Sequence, residues 1–410
     1  MQPRTPHAAT GTTFEIDIEK LVYGGDGLGR HEGKVVFVPF TAPGDRVEVR
    51  PIERKRGFVR AVVTRILKAS PERNAPPCPH FGRCGGCQWQ HLDYALQVET
   101  KRRILEEGFH HRFPETKNLQ ITMAACPKPY GYRSRGRVQM RGTGAQTAVG
   151  FFRYRSHEVE DVSSCPLFQA SLNEALASVR AGRREGRFGP GENELEIAGA
   201  ENGGWVCAEA EPGPSAGVDP LEEVLLRDVG GFVYAVAASV FFQANDFMLG
   251  ELTSAVLKMA VGGISALDLY SGVGFFSLPL ARRYRDVTAV ESHPGAHQLC
   301  IRNIAHAHLE NVRAVCADVH DWMRAVGSMA APALDFILLD PPRSGAGPEV
   351  MKCITEWAPE GILCVSCDPQ TLIRDLAMLP ARDYRIDAIE GLDLFPQTYH
   401  FETVVHLKRR

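Results

Sequence analysis

Leu267-Asp-Leu-Tyr-Ser-Gly-Val-Gly-Phe-Phe-Ser-Leu278 passes from an apolar strand through a glycine turn into a helix. Gly272 and Gly274 remove the Cβ atoms that would hold a ligand away from the backbone. A dinucleotide fingerprint wants a third glycine three residues further on, where this chain has Ser277. The turn therefore suits a nucleoside-type cofactor without a pyrophosphate better than a nicotinamide dinucleotide. On either side, short apolar strands alternate with helical spacers: ALDLY (266–270), VTAVE (287–291), VRAVCAD (312–318), LDFILLD (334–340) and ILCVSC (362–367). That alternation predicts an α/β fold, a Rossmann-like doubly wound domain over 239–410. Ligands of such sheets bind beyond the carboxyl ends of the strands. Glu291, Asp318 and Asp340 end successive strands there. Alone, each carboxylate reads as a helix N-cap. Together they read as a cofactor rim, with Glu291 facing a ribose and Asp318 an adenine edge.

Cys367 closes the fifth strand, in Val-Ser-Cys-Asp-Pro, and so falls on the same rim. A thiolate is the reactive form, and a helix N-terminus just beyond can stabilise it. Cys364 completes a C-x-x-C, but residues three apart on a strand point to opposite faces, so Cys364 is expected to pack inside. Glu402 heads the last strand, in His-Phe-Glu-Thr. By position alone it reads as an exposed strand carboxylate.

The front of the chain differs in character. Up to Cys165 it carries 26 Lys+Arg against 17 Asp+Glu, and beyond it 20 against 32. A basic front suits a polyanion partner, or merely two unevenly solvated domains. Five short strands with Gly-rich turns over 13–67 predict a small β-barrel of the OB type, a nucleic-acid binder or a plain structural cap. A β-rich central domain over 68–238 follows, with a helical stretch at Tyr94–His110 and long loops expected over Gly182–Gly217. Arg133, Arg135 and Arg137 alternate along an expected strand, which sets them on one face for phosphate contact. Cys78, Cys84 and Cys87 are close-spaced, and Cys165 stands apart in Ser-Ser-Cys-Pro. Four thiolates can hold zinc or a cubane iron–sulfur cluster, and spacing alone does not choose. No apolar run reaches the roughly 18 residues of a membrane span. Residues 1–12 read as a disordered lead without a signal-peptide core. The expectation is a cytoplasmic protein with no membrane association, no disulfide framework and no obligate protein partner.

Taken together, these residues resemble the bacterial RNA (uracil-5-)-methyltransferase family, in particular its ribosomal-RNA branch. The resemblance rests on Gly-Gly-x-Gly-x-Gly-Arg (24–30), Asp340-Pro-Pro-Arg, Ser366-Cys-Asp-Pro and Phe395-Pro-Gln-Thr-x-His-x-Glu402. It implies a TRAM barrel at the front and S-adenosyl-L-methionine as methyl donor. It implies a structured RNA as partner, most simply 23S ribosomal RNA, with the T-loop of transfer RNA as the alternative. Cys367 becomes the nucleophile that adds to carbon-6 of uracil, and Glu402 the acceptor of the carbon-5 proton. Such chemistry needs both groups, because carbon-5 becomes nucleophilic only once a thiolate has added at carbon-6. The resemblance further implies donor contacts at Gln243, Tyr270, Glu291 and Asp340, with Asp318 less directly. It also implies a [4Fe-4S] cluster on Cys78, Cys84, Cys87 and Cys165, and a helix at 94–110 packed on the catalytic domain. Phe275 departs from the pattern, since some members carry Asn there. Two other classes compete: a non-catalytic metal-containing RNA-binding module, and a nicotinamide-dependent oxidoreductase.

Overall fold

The computed structural model describes residues 12–142, 147–188, 191–201, 203–209, 223–327 and 334–410. The lead expected over 1–12 therefore lies, apart from Thr12, outside the described residues. Strands β1 (Phe14–Leu21), β2 (Gly27–His31), β3 (Lys34–Val38), β4 (Arg46–Arg54) and β5 (Phe58–Lys68) close into a barrel in the order β1-β2-β3-β5-β4. Alternation turns Ile16, Ile18, Val36, Val38, Val47, Val49 and Val59 inward as its core. Gly25, at φ +89°, brings the β1–β2 turn so close to Gln88 and Tyr399 that a Cβ would meet them at 2.9 and 3.1 Å. Asp26 in that turn is buried and pairs with Arg60 and Arg155, each at 3.0 Å.

Helix α1 (Tyr94–Arg112) starts on Asp93, whose carboxylate accepts the Ala95 N–H. It leaves the front of the chain and packs on the catalytic half, burying Leu105 and Phe109 in that half's core. The short β6 (Thr122–Ala124) follows it into the large sheet, parallel to the edge.

The central sheet runs β11-β10-β7-β8-β9. Its strands are β7 (Arg135–Arg141), β8 (Ala148–Phe152), β9 (Val159–Asp161), β10 (Asn193–Gly199) and β11 (Trp205–Glu209). Helix α2 (Ala170–Arg184) covers one face through Leu172, Leu176 and Val179. The tract expected as long loops thus contains the end of α2 and the β10–β11 hairpin. Its apolar alternation, Leu195, Ile197 and Val206, was masked by surrounding Gly and Glu. A two-stranded ribbon, β12 (Val224–Val229) with β13 (Phe232–Ala237), leads out of this domain.

The catalytic half alternates α3 (Leu249–Met259), β14 (Gly263–Leu269), α4 (Ser277–Leu280), β15 (Tyr284–Glu291), α5 (Pro294–His306) and β16 (Val312–Cys316). Then come α6 (Val319–Gly327), β17 (Phe336–Leu339), α7 (Gly347–Trp357), β18 (Gly361–Ser366), α8 (Pro369–Leu376), β19 (Tyr384–Leu392) and β20 (Glu402–Arg409). The sheet order is β16-β15-β14-β17-β18-β20-β19-β6, with β20 antiparallel between β18 and β19. Strand order reverses beside β14, so the crevice at the carboxyl ends of β14 and β17 is the natural ligand site.

Candidate active site

The β18–β20 ladder does the decisive positioning. Ser366 pairs with Thr403 in the antiparallel register, so the next step sets Cys367 beside Glu402. Two groups 35 positions apart in sequence thereby meet on the rim where β17 delivers Asp340. Glu402 is buried, 3% exposed, against the reading of an exposed strand carboxylate. Burial first, and then the charge of Asp340, raises the Glu402 carboxyl well above its ordinary range. Asp340 is raised in turn, by burial and by Asp268. Cys367 is half-buried, and burial pushes its thiol up to about 12, with Glu402 and Asp340 adding and Arg343 opposing. The helix N-terminus expected to stabilise a thiolate does not do so. The first amides of α8, on Gln370 and Thr371, are taken by the Asp368 side chain at 2.9 and 3.0 Å. The resting group is a neutral thiol. Cys364 is 5% exposed and packs in the core, as the strand geometry required.

Three further groups belong to this neighbourhood to which the sequence reading gave no role. Arg343, from Asp340-Pro-Pro-Arg, lies beside the thiol and Glu402. His400 is held neutral, pushed down to about 3 by burial and by the cations Arg343, Lys101 and Arg133. Tyr23 reaches over from the barrel and sits edge-on to Tyr399 at 5.3 Å and to Phe401 at 6.3 Å. A motif signal existed only for Arg343 and His400. Tyr23 carried none.

The cofactor rim assembles from β14, β15 and β17. Tyr270 ends β14 in a left-handed conformation, φ +64°, which a non-glycine residue adopts only when its surroundings hold it there. Gly272 and Gly274 follow at φ +56° and +86°, and a Cβ added at Gly272 would meet nothing within 4 Å, so the turn faces open space. Glu291 accepts the Gly272 N–H at 2.9 Å and the His293 N–H at 2.7 Å, leaving lone pairs toward the crevice. Asp318 is exposed and accepts the Asp321 N–H at 3.1 Å, the cap role that position alone suggests. Gln243 is 5% exposed and has no side-chain partner among the described residues. Asp268, also unforeseen, is fully buried; burial pushes it up to about 7, Ser277 opposes, and Oδ1 has no partner. Phe275 turns away from the rim into an aromatic group with Tyr234 and Phe242, at 5.8 and 5.4 Å. An open glycine turn, the unpartnered buried Oδ1 of Asp268 and the side-chain amide of Gln243 fit a polar nucleoside-type donor.

Cys78, Cys84, Cys87 and Cys165 come together although 87 positions separate the first from the last. Cys87 feels the other three thiols, and Cys84 feels Cys165 and Cys78. The segment carrying them is laced to the central sheet by Gly85 N–H to Phe152 O (2.9 Å) and Tyr154 N–H to Arg83 O (2.7 Å). No three of these sulfurs lie mutually within 4.8 Å among the described residues. Four thiols gathered from separate segments are donors that either a single zinc or an iron–sulfur cluster takes.

The alternating arginines do not share a solvent face. Arg135 is 8% exposed, and its guanidinium donates to the carbonyls of Ala237 (2.9 Å) and Ala238 (2.7 Å). Arg137 is exposed but ion-paired to Glu194 (2.8 Å) and Glu196 (2.6 Å) of β10. Arg133 precedes β7, and its Nε donates to Arg135 O at 2.8 Å. The expectation of one phosphate-binding face is corrected accordingly. Alternation fixes which residues share a face, not which face meets water.

Comparison with known proteins agrees with this architecture. Residues 217–410 match the family model described as tRNA (Uracil-5-)-methyltransferase, and residues 8–64 match the TRAM domain. An uncharacterised RNA methyltransferase of Synechocystis is 32% identical, covering 97% of this chain and 96% of that one. The 23S rRNA (uracil(1939)-C(5))-methyltransferases of Alkalilimnicola ehrlichii and Pectobacterium atrosepticum are 34% and 31% identical, covering 97% and 98% of this chain and 96% and 94% of theirs. Among solved structures, the Pyrococcus abyssi tRNA (uracil-54, C5)-methyltransferase in complex with S-adenosyl-L-homocysteine superposes with a TM-score of 0.73 at 26% identity, covering 96% of this chain and all of that one.

Proposed function

The chain belongs to the RNA (uracil-5-)-methyltransferase family, and on that premise we propose that it methylates carbon-5 of a uridine in 23S ribosomal RNA through a covalent bond to Cys367. The activity class, an RNA (uracil-5-)-methyltransferase with an N-terminal TRAM domain, follows from membership. The substrate RNA is inferred from relatives named for 23S ribosomal RNA over nearly the whole chain. The transfer-RNA enzyme of Pyrococcus abyssi supports the T-loop uridine as the second reading.

The register that sets Cys367 beside Glu402 on the cofactor rim carries the mechanism. The Cys367 thiol gives up its proton to solvent as Sγ bonds to carbon-6 of uracil; the carbon-5–carbon-6 π pair moves toward carbon-5 and the carbon-4 oxygen, and Arg343 offsets the negative charge that develops nearby. S-adenosyl-L-methionine, when bound, supplies an electrophilic methyl group. Gln243, Tyr270, Gly272, Gly274, Glu291 and Asp340 would hold it, with Asp318 at the outer edge. Glu402 then takes the proton from methylated carbon-5. That electron pair re-forms the double bond and expels the Cys367 thiolate. A buried carboxylate of raised proton affinity is a stronger base than an exposed one. The thiol set Cys78, Cys84, Cys87 and Cys165 is read as the ligands of a [4Fe-4S] cluster, as the resemblance to the ribosomal-RNA branch of the family implies. Its role here is structural, since methyl transfer moves no electrons. A soluble cytoplasmic setting is part of the same reading, and no helix is long and apolar enough to cross a membrane among the described residues.

The test is to trap the order of events. Glu402→Gln should accumulate a methylated RNA–protein adduct that survives denaturing electrophoresis, whereas Cys367→Ala should give neither adduct nor product. Normal turnover by Glu402→Gln would overturn the role of Glu402. Mapping 5-methyluridine in RNA from a strain lacking the gene identifies the target. Loss from transfer RNA alone would overturn the ribosomal assignment.

A further inference from the structure

Four consecutive backbone carbonyls just ahead of Glu402 are gripped by groups from the front and middle of the chain. Leu394 O accepts from Asn245 Nδ2 at 2.9 Å and Phe395 O from Lys101 Nζ at 3.1 Å. Pro396 O accepts from the Tyr132 hydroxyl at 3.0 Å. Gln397 O accepts from the N–H groups of both Gln88 and Trp89, at 3.1 and 3.0 Å. Those two residues directly follow Cys87, so the thiol-bearing segment itself takes part in the grip.

Gln397 is the unusual member. Its φ is +70°, a left-handed conformation that a side chain with a Cβ resists. It is 2% exposed, and its partner Gln97 on α1 is completely buried. The two amides bond reciprocally: Gln97 Oε1 accepts the Gln397 N–H at 2.9 Å, and Gln97 Nε2 donates to Gln397 Oε1 at 3.0 Å. Gln97 Nε2 also faces the carbonyls of Trp89 and Leu92, each at 3.1 Å. One side chain thus ties α1, the thiol-bearing segment and the loop before the base. Little slack separates Gln397 from Glu402. Thr398 N–H donates back to Phe395 O at 3.2 Å, Thr398 Oγ1 accepts the His400 N–H at 3.1 Å, and Phe401 is fully buried.

We propose that Gln97 is a positioning residue for Glu402, fixing through Gln397 the left-handed turn from which the base is aimed. The proposal rests on the reading of Glu402 as the base. It concerns one step only: Cys367 directly follows β18, outside the gripped loop, so adduct formation does not depend on Gln97.

The experiment uses the full-length protein with total RNA from a strain lacking the gene, which carries the unmodified target. Adduct formation and resolution are followed on denaturing gels. Gln97→Met should form the adduct at the wild-type rate and resolve it more slowly, on the order of 10- to 100-fold, the scale of a misplaced catalytic group. Adding Gln397→Gly in the same chain should restore resolution, because glycine takes the left-handed conformation without being held. A merely structural role for Gln97 would slow both steps by one factor and show no rescue, and that result overturns the proposal. Should Gln97→Met not fold, Gln397→Ala keeps the strain and removes the Oε1 acceptor. It should also lengthen adduct life, and an unchanged life overturns the proposal. Glu402→Gln is run alongside. If it accumulates adduct while Gln97→Met does not, only the positioning role falls. If Glu402→Gln accumulates none, the base assignment itself falls.

Discussion

Replacing Lys101 by Met tests how firmly the front of the chain is fastened to the catalytic half. Lys101 Nζ lies 2.6 Å from Asp393 Oδ1, and both side chains are fully buried. Removing one partner of such a pair leaves an uncompensated charge, at a cost of about 3–5 kcal/mol. Methionine fills most of the lysine stem, so no large cavity is added. Phe395 O loses its Lys101 donor but still accepts from Thr398 Oγ1 at 2.8 Å, so it is not orphaned. The retained contact at Phe395 O puts the expected loss near the lower bound, about 3 kcal/mol. The assay is urea unfolding followed by far-ultraviolet circular dichroism. Lys101→Met combined with Asp393→Asn removes the stranded charge and should recover most of that loss. A single variant within about 1 kcal/mol of the parent, or a double variant no better than the single, would refute the reasoning, since surface pairs are worth no more than that.

Other outcomes follow from particular contacts. Anaerobically purified protein should be brown and contain iron, and stoichiometric zinc without iron would sink the cluster assignment. Arg135→Glu should give poorly folded protein and not a specific loss of RNA affinity, because Ala237 O and Ala238 O lose their donors in the interior; a folded variant with a changed salt slope of RNA binding would reverse that conclusion. In the barrel, burial would raise Asp45, but the Arg73 guanidinium and the amides of Ala42 and Ser70 outweigh it and hold it below its ordinary value. Its contribution is therefore complete above the unfolded value of about 4 and lost as pH falls through the depressed folded value, so Asp45→Asn should lose stability at neutral pH and flatten the acid limb of the unfolding profile. Because burial and Asp340 raise Glu402, the methylation rate should fall as pH drops through a value well above the ordinary carboxyl range; an acid limb at about pH 4 in single-turnover assays would contradict the raised carboxyl.

The sheet and its rim were legible because each rim residue is read within one short segment. A strand ending in Glu291 or Asp340 announces both the element and its exit point. Cys367 was legible for the same reason, and Cys364 could be set aside by alternation alone. Its protonation was not legible, since that depends on burial and on two carboxylates brought from other strands. Arg135 was misread because a period of two sorts side chains into faces without saying which face a neighbouring ribbon covers. Asp268 was passed over because one carboxylate inside an apolar strand carries no pattern. The grip on residues 394–397 was beyond reach for a plainer reason: Lys101 and Asp393 are 292 positions apart, and nothing local in either segment names the other.

The place of β6 has a consequence for cutting the chain. Thr122–Ala124 pairs along Glu390–Leu392 at the outer end of the large sheet, and α1 lies over the apolar ground beside it through Leu105 and Phe109. Both come from the front of the chain, ahead of the central sheet. A fragment begun at residue 217, where the methyltransferase match begins, would keep every rim residue and lose both covers. Its β19 would then present unpaired amides and carbonyls next to bare apolar side chains, a template for sheet-to-sheet association. Such a fragment should multimerise or precipitate on release from the ribosome, and supplying residues 93–125 as a separate peptide should keep it in solution.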